Sequence, residues 1–118
     1  MSEKVTEPSK VIAPSAEMIA ELKNRYGVLF KVSYNSSSNY LIRPITRAEY
    51  KDVVAVIETV DAKLRPELHD ENVVKLGVVW PTLPPEFFTT SAAGQVPNLA
   101  LQIMERSGFS NNVDVTEV

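Results

Sequence analysis

Between Leu41 and Tyr50 the chain changes its period. Leu41-Ile42-Arg43-Pro44 reads as the end of a strand, and Thr46-Arg47-Ala48-Glu49-Tyr50 reads as the start of a helix. Proline has no N–H to give to a ladder, so pairing stops at Pro44. Thr46 and Glu49 have the spacing of a capping box, in which the threonine hydroxyl takes the Glu49 N–H and the glutamate reaches back. The stretch demands a fold that holds both strands and helices. The expectation is α+β: a β-hairpin packed against about four helices in a single small domain.

The remaining elements fit around that junction. Ser15 can cap a helix in which Met18, Ile19, Leu22 and Tyr26 recur on one face, and Gly27 can stop it. Val28, Phe30, Val32 and Tyr34 alternate with Leu29, Lys31 and Ser33, and Tyr40 to Arg43 forms the return strand after a loop at 35–39. Helices must cover one face of this hairpin, which is marginal alone. After Thr46, the residues Tyr50, Val53, Val54, Ile57 and Leu64 predict a long helix. Asp61 falls on the same face. Either the helix turns there and Asp61 is wet, or the carboxylate is paired, with Arg43 as a candidate.

Pro66 is expected to break the chain, and Asp70 to cap a short helix reaching about Trp80. Val73, Val74, Leu76, Gly77 and Val78 make that segment apolar on most sides, as in a buried helix. A strand within 73–80 is the alternative, given its valines, and Pro81 closes either one. Residues 81–95 read as an irregular loop. Pro97 favours a last helix with Val96, Leu99, Ala100, Ile103 and Ser107 on its inner face. Gly108 ends it, and Phe109 can fold back onto the last turn. The expected organisation is a flexible arm at 1–14, where Val11-Ile12 could dock as an edge, a globular domain at 15–110 and a polar tail at 111–118.

Charge is uneven. The net value is -3, but residues 1–65 hold ten Lys/Arg against eight Asp/Glu, and residues 66–118 hold two against seven. No basic stripe offsets that acidic half, which speaks against nucleic acid as a partner. There is no cysteine, so disulfides and thiolate metal sites are excluded. No apolar run has the length of a membrane span or of a signal-peptide core, and the expectation is a protein that stays in the cytoplasm.

The inventory of reactive groups is thin. His69 is the single histidine, placed by this reading in a linker before a helix, at the surface. Its acidic neighbours Asp70 and Glu71 are adjacent in sequence and do not converge readily on one ion. The four glycines are isolated, so no phosphate loop is formed, and no nucleophile turn is present. The expectation is a non-enzyme with no catalytic residues, no metal and no cofactor. Binding through surface remains. The candidates are Phe87 and Phe88 in the proline-rich loop and Leu101 and Met104 on the back of the last helix. Aromatic and methionine side chains suit an adaptable protein interface. Phe87 and Phe88 could equally pin their own loop.

Taken in order, the signals form a pattern. A helix ends Leu22-Lys23-Asn24-Arg25-Tyr26-Gly27, and a hairpin follows. Next come Ile42-Arg43-Pro44-Ile45-Thr46-Arg47-Ala48-Glu49-Tyr50, a buried segment ending Val79-Trp80-Pro81, Ala93-Gly94, and a helix ending Ser107-Gly108-Phe109. Over roughly residues 15–110 this resembles the small tail assembly chaperones, and related tail and baseplate proteins, of long-tailed bacteriophages. Arg43, Thr46, Glu49, Tyr50, Pro81, Gly94, Gly108 and Phe109 are the residues that define the pattern. The resemblance implies a non-enzymatic protein of the host cytoplasm. It would coat the helical tape-measure protein, keep it soluble until the tail tube polymerises, and leave before the particle is finished. The alternative it implies is a structural component of the tail or baseplate, located in the virion. A homo-oligomer is compatible with either.

Overall fold

The computed structural model describes residues 14–34, 38–109 and 113–118. The chain is α+β. In order come α1 (Ala16–Tyr26), β1 (Phe30–Tyr34), β2 (Ser38–Ile42), α2 (Arg47–Ile57), a 3-10 turn (Ala62–Leu64), α3 (Arg65–Gly77) and β3 (Val78–Trp80). The one-turn α4 (Phe87–Thr90), α5 (Gln95–Met104) and a wide terminal turn (Glu105–Phe109) complete it. Contacts divide the chain into two compact units, one running to Arg43 and adding Val78–Thr82, the other comprising Pro44–Gly77 and Leu83–Val118. Most of the expected arm, residues 35–37 of the expected loop, residue 110 of the expected domain and residues 111–112 of the expected tail lie outside the described residues, as do Val11 and Ile12. Residues 113–118 carry no regular structure, and Val113 and Val115 are exposed.

The first unit is a three-stranded antiparallel sheet of order β1-β2-β3, with α1. Ser15 Oγ accepts the Met18 N–H at 3.1 Å, and Gly27, at φ 87°, donates to the Lys23 carbonyl at 2.8 Å. Positive φ costs glycine nothing, so the helix stops there. The hairpin register runs from Phe30↔Ile42 to Tyr34↔Ser38. Ser38 and Asn39, expected in the loop, therefore extend β2. Beyond an irregularity at Leu41/Ile42, β2 pairs with β3. Residues 73–80 thus contain both readings: a helix up to Gly77, then a strand to Trp80. A cis peptide joins Trp80 to Pro81. Leu22, Tyr40, Leu41 and Ile42 are buried, and the Arg43 guanidinium sits 5.0 Å from the centre of the Tyr26 ring.

The second unit is helical. The capping box forms: Glu49 N–H donates to Thr46 Oγ1 at 3.2 Å, and Thr46 N–H donates to Glu49 Oε1 at 2.9 Å. The long helix expected through Leu64 does not form. α2 ends at Ile57, inside a β-branched run (Val56, Ile57, Thr59, Val60) that crowds a helix. The Thr59 hydroxyl donates to the Val56 carbonyl at 2.7 Å, and Thr59 N–H closes a tight i,i+3 turn onto the same oxygen. Leu64 is consequently exposed, and so is Asp61, which is the wet reading of that carboxylate.

Pro66 does not break the chain. It is the second residue of α3, where a helix has no N–H to lose, so the helix starts five residues before Asp70. α3 packs against both α2 and α5. Val73, Val74, Leu99 and Ile103 have no exposed surface, and Ala100, Val53 and Ile45 are buried with them. The loop 81–95, expected to be irregular throughout, contains α4.

Candidate functional site

Two stretches that punctuate the sequence meet in the second unit. Ser107 Oγ accepts the Ile45 N–H at 2.9 Å and donates to the Ile103 carbonyl at 2.6 Å. One hydroxyl therefore ties the lead-in of α2 to the end of α5, across 62 residues of sequence. Gly108 follows at φ 97°, a conformation that favours glycine, and turns the chain so that Phe109 leaves the helix axis. The Phe109 ring lies 4.9 Å from that of Tyr50, on α2, and not on its own helix turn as expected. Phe109 nevertheless stays 57% exposed. Ile45, Thr46, Arg47, Tyr50, Ser107, Gly108 and Phe109 line an open cavity of about 280 Å³.

Behind that cavity runs a chain of polar groups. The Tyr50 hydroxyl lies 3.1 Å from His69 Nε2, and His69 Nδ1 lies 3.1 Å from Asp70 Oδ1. In the neutral tautomer that satisfies both, Nδ1–H donates to the carboxylate and Nε2 accepts the phenol. His69 is thus not in a surface linker. It belongs to α3, is half-buried, and meets Tyr50 edge-on at 5.7 Å between centroids. Both nitrogens are engaged, so the imidazole fixes α2 to α3. Among the described residues no group of three His, Asp or Glu could hold a metal ion.

A second concavity, about 340 Å³, lies where α3 faces α4 and the start of α5. One wall is acidic: Glu67, Asp70 and Glu71 share a face of α3 at i, i+3 and i+4. The other is apolar, formed by Phe88, Ala92, Ala93, Val96 and Pro97. Phe87 and Phe88 are both half-buried and meet edge-to-face at 5.4 Å, and the Lys75 ammonium lies 5.2 Å from the Phe88 ring centre. Both rings are thus partly covered, and Phe88 lines the groove.

The other binding candidates sit on α5. Leu101 is 52% exposed, whereas Met104, expected on the free back of the helix, is half-buried on its flank. Pro97, Leu101 and Met104 are spaced i, i+4, i+7, so they form one stripe leading away from the groove. Gly94 precedes α5 with ordinary helical dihedrals, and its carbonyl accepts the Asn98 N–H at 3.0 Å. Arg43 and Pro81 belong to the other unit.

Sequence reasoning missed the acidic wall. Placing the helix start at Asp70 left Glu67 in a linker, and only a helix beginning at Arg65 aligns the three carboxylates. The i, i+3, i+4 spacing itself was the available signal. Comparison of the chain with protein-family models, with curated proteins and with solved structures finds no match.

Proposed function

We propose that this chain is a protein-binding module that acts as a phage tail assembly chaperone, holding the tape-measure protein soluble before the tail tube polymerises. The observation that carries the reading is the apolar stripe Pro97–Leu101–Met104, continuous with Phe88, on a helix whose opposite face is fully buried. Apolar side chains kept at the surface of a well-packed helix suit contact with another macromolecule. A long helical client with apolar faces presents the complementary problem, and helix-in-groove packing is the economical solution. The order of sequence motifs, from the Tyr26-Gly27 helix end to Ser107-Gly108-Phe109, supports the same assignment.

The test is co-expression with the tape-measure protein of the same genome. A soluble complex is expected, weakened by Leu101→Asp, a substitution at an exposed position that leaves folding intact. Tape-measure protein that stays equally insoluble with and without this chain would overturn the reading. A stoichiometric copy number in purified particles would replace it with a structural role in the tail or baseplate.

A further inference from the structure

We infer that the groove between α3 and α4–α5 takes a basic amphipathic helix of the partner protein, with its apolar side chains on the Phe88–Val96–Pro97 wall and its Lys or Arg against Glu67, Asp70 and Glu71. The inference rests on the protein-binding reading and adds the charge and shape of the bound segment.

Charge complementarity selects this occupant. Glu67 lies one helical turn from Asp70 and Glu71; like charges at that spacing repel, and the arrangement is relieved by external cations. Asp70 has His69 beside it, but among the described residues neither Glu67 nor Glu71 forms an ion pair. Lys75 lies four residues beyond Glu71, the usual position for a helical ion pair, yet its ammonium is directed to the Phe88 ring. Glu67 and Glu71 thus line the groove without an ion pair from their own helix, while Asp70 has His69 and Lys75 lies against Phe88. A single metal ion does not answer this, because the carboxylates are not gathered into a metal-binding group. Separated cations on one peptide do.

The apolar wall fixes the shape. From Pro97 to Met104 the stripe advances about 10 Å along α5. Adding the groove gives the footprint of a helix of two to three turns, presenting apolar residues at i, i+3, i+4 and i+7. A segment basic on both flanks of that face would meet the carboxylates on the α3 side.

The experiment uses the full chain, isotopically labelled, and two synthetic helical peptides. Both carry leucines at i, i+3, i+4 and i+7; one has lysines on the flanks, the other glutamates at the same places. NMR titration is expected to show shifts concentrated at Glu67–Glu71, Phe88 and Val96–Met104. The lysine peptide should bind at least about tenfold tighter and weaken as salt rises. Glu67→Gln with Glu71→Gln should cost the lysine peptide about tenfold and leave the glutamate peptide no worse. Equal binding of the two peptides, shifts centred on Arg47 and Phe109, or self-association of the chain through this groove would each overturn the inference. If the lysine peptide does not bind while a tape-measure complex forms and is sensitive to Leu101→Asp, this inference falls and the proposed function stands. If the lysine peptide binds here and the tape-measure protein is not held, the inference stands and the chaperone role falls.

Discussion

The contact of Gly77 on α3 with Ile103 on α5 sets a sharp stability prediction at Gly77→Ala. A methyl group built at Gly77 would lie 2.5, 2.7 and 2.8 Å from Cδ1, Cγ2 and Cγ1 of Ile103. Carbon atoms prefer about 3.5–4.0 Å, so close to 1 Å must be recovered. Cδ1 alone could swing away, but Cγ1 and Cγ2 are fixed by the β-branched geometry of isoleucine. Nor is there free space. Ile103 has no exposed surface, and neither have Val73 and Leu99, one turn earlier on each helix. The helices must separate or Ile103 must leave its rotamer, at about 1–3 kcal/mol. Alanine returns up to about 1 kcal/mol through helix propensity and a less flexible unfolded chain. Gly77 is the last residue of α3, which places that return at the low end.

The expected net change is a loss of about 1–2 kcal/mol in urea unfolding, or roughly 4–8 °C in Tm. Ile103→Ala removes all three atoms that the new methyl meets and alone should cost about 2–5 kcal/mol. The double variant should then be more stable than the sum of the single effects by about 1–3 kcal/mol, since the methyl enters space that has been cleared. A Gly77→Ala protein as stable as the parent, or strict additivity in the cycle, would refute the reasoning.

Three further outcomes are expected. Ser107→Ala leaves the buried Ile45 N–H without its acceptor and should cost about 1–3 kcal/mol, with faster hydrogen exchange at the Ile45 amide as the specific readout. Thr46→Ala should lose about 1 kcal/mol in denaturant unfolding as the capping box opens, while Thr46→Ser retains most of it. Tyr50→Phe keeps the ring contact with Phe109 but removes the hydroxyl from His69; about 1 kcal/mol of stability should go, and the imidazole nitrogen shifts of His69 should move.

What could be read before folding was whatever the backbone decides within a few residues. Ser15 and Gly27 bound α1, Thr46 and Glu49 start α2, and Gly108 turns the chain after α5, because caps and positive-φ residues act on neighbouring peptide groups. The inner face of α5 was legible for a related reason, since Leu99, Ala100 and Ile103 share a side through helical spacing alone. The errors arose where a local signal has two readings. Pro66 is compatible with a break or with a first helical turn, and the second keeps α3 long enough to align Glu67 with Asp70 and Glu71. Val78–Trp80 is strand because β2 offers an open edge for it, a partner that no window of sequence contains.

The amino-acid order by itself determined the class of fold, the starts of α1 and α2 and much of the core, all of which follow from short-range geometry and periodic burial. Tertiary structure alone decided that Ser107 serves Ile45, that His69 bridges Tyr50 and Asp70, and that an acidic wall faces an apolar one. Those arrangements join side chains from separate helices, and their distances depend on how α2, α3 and α5 pack.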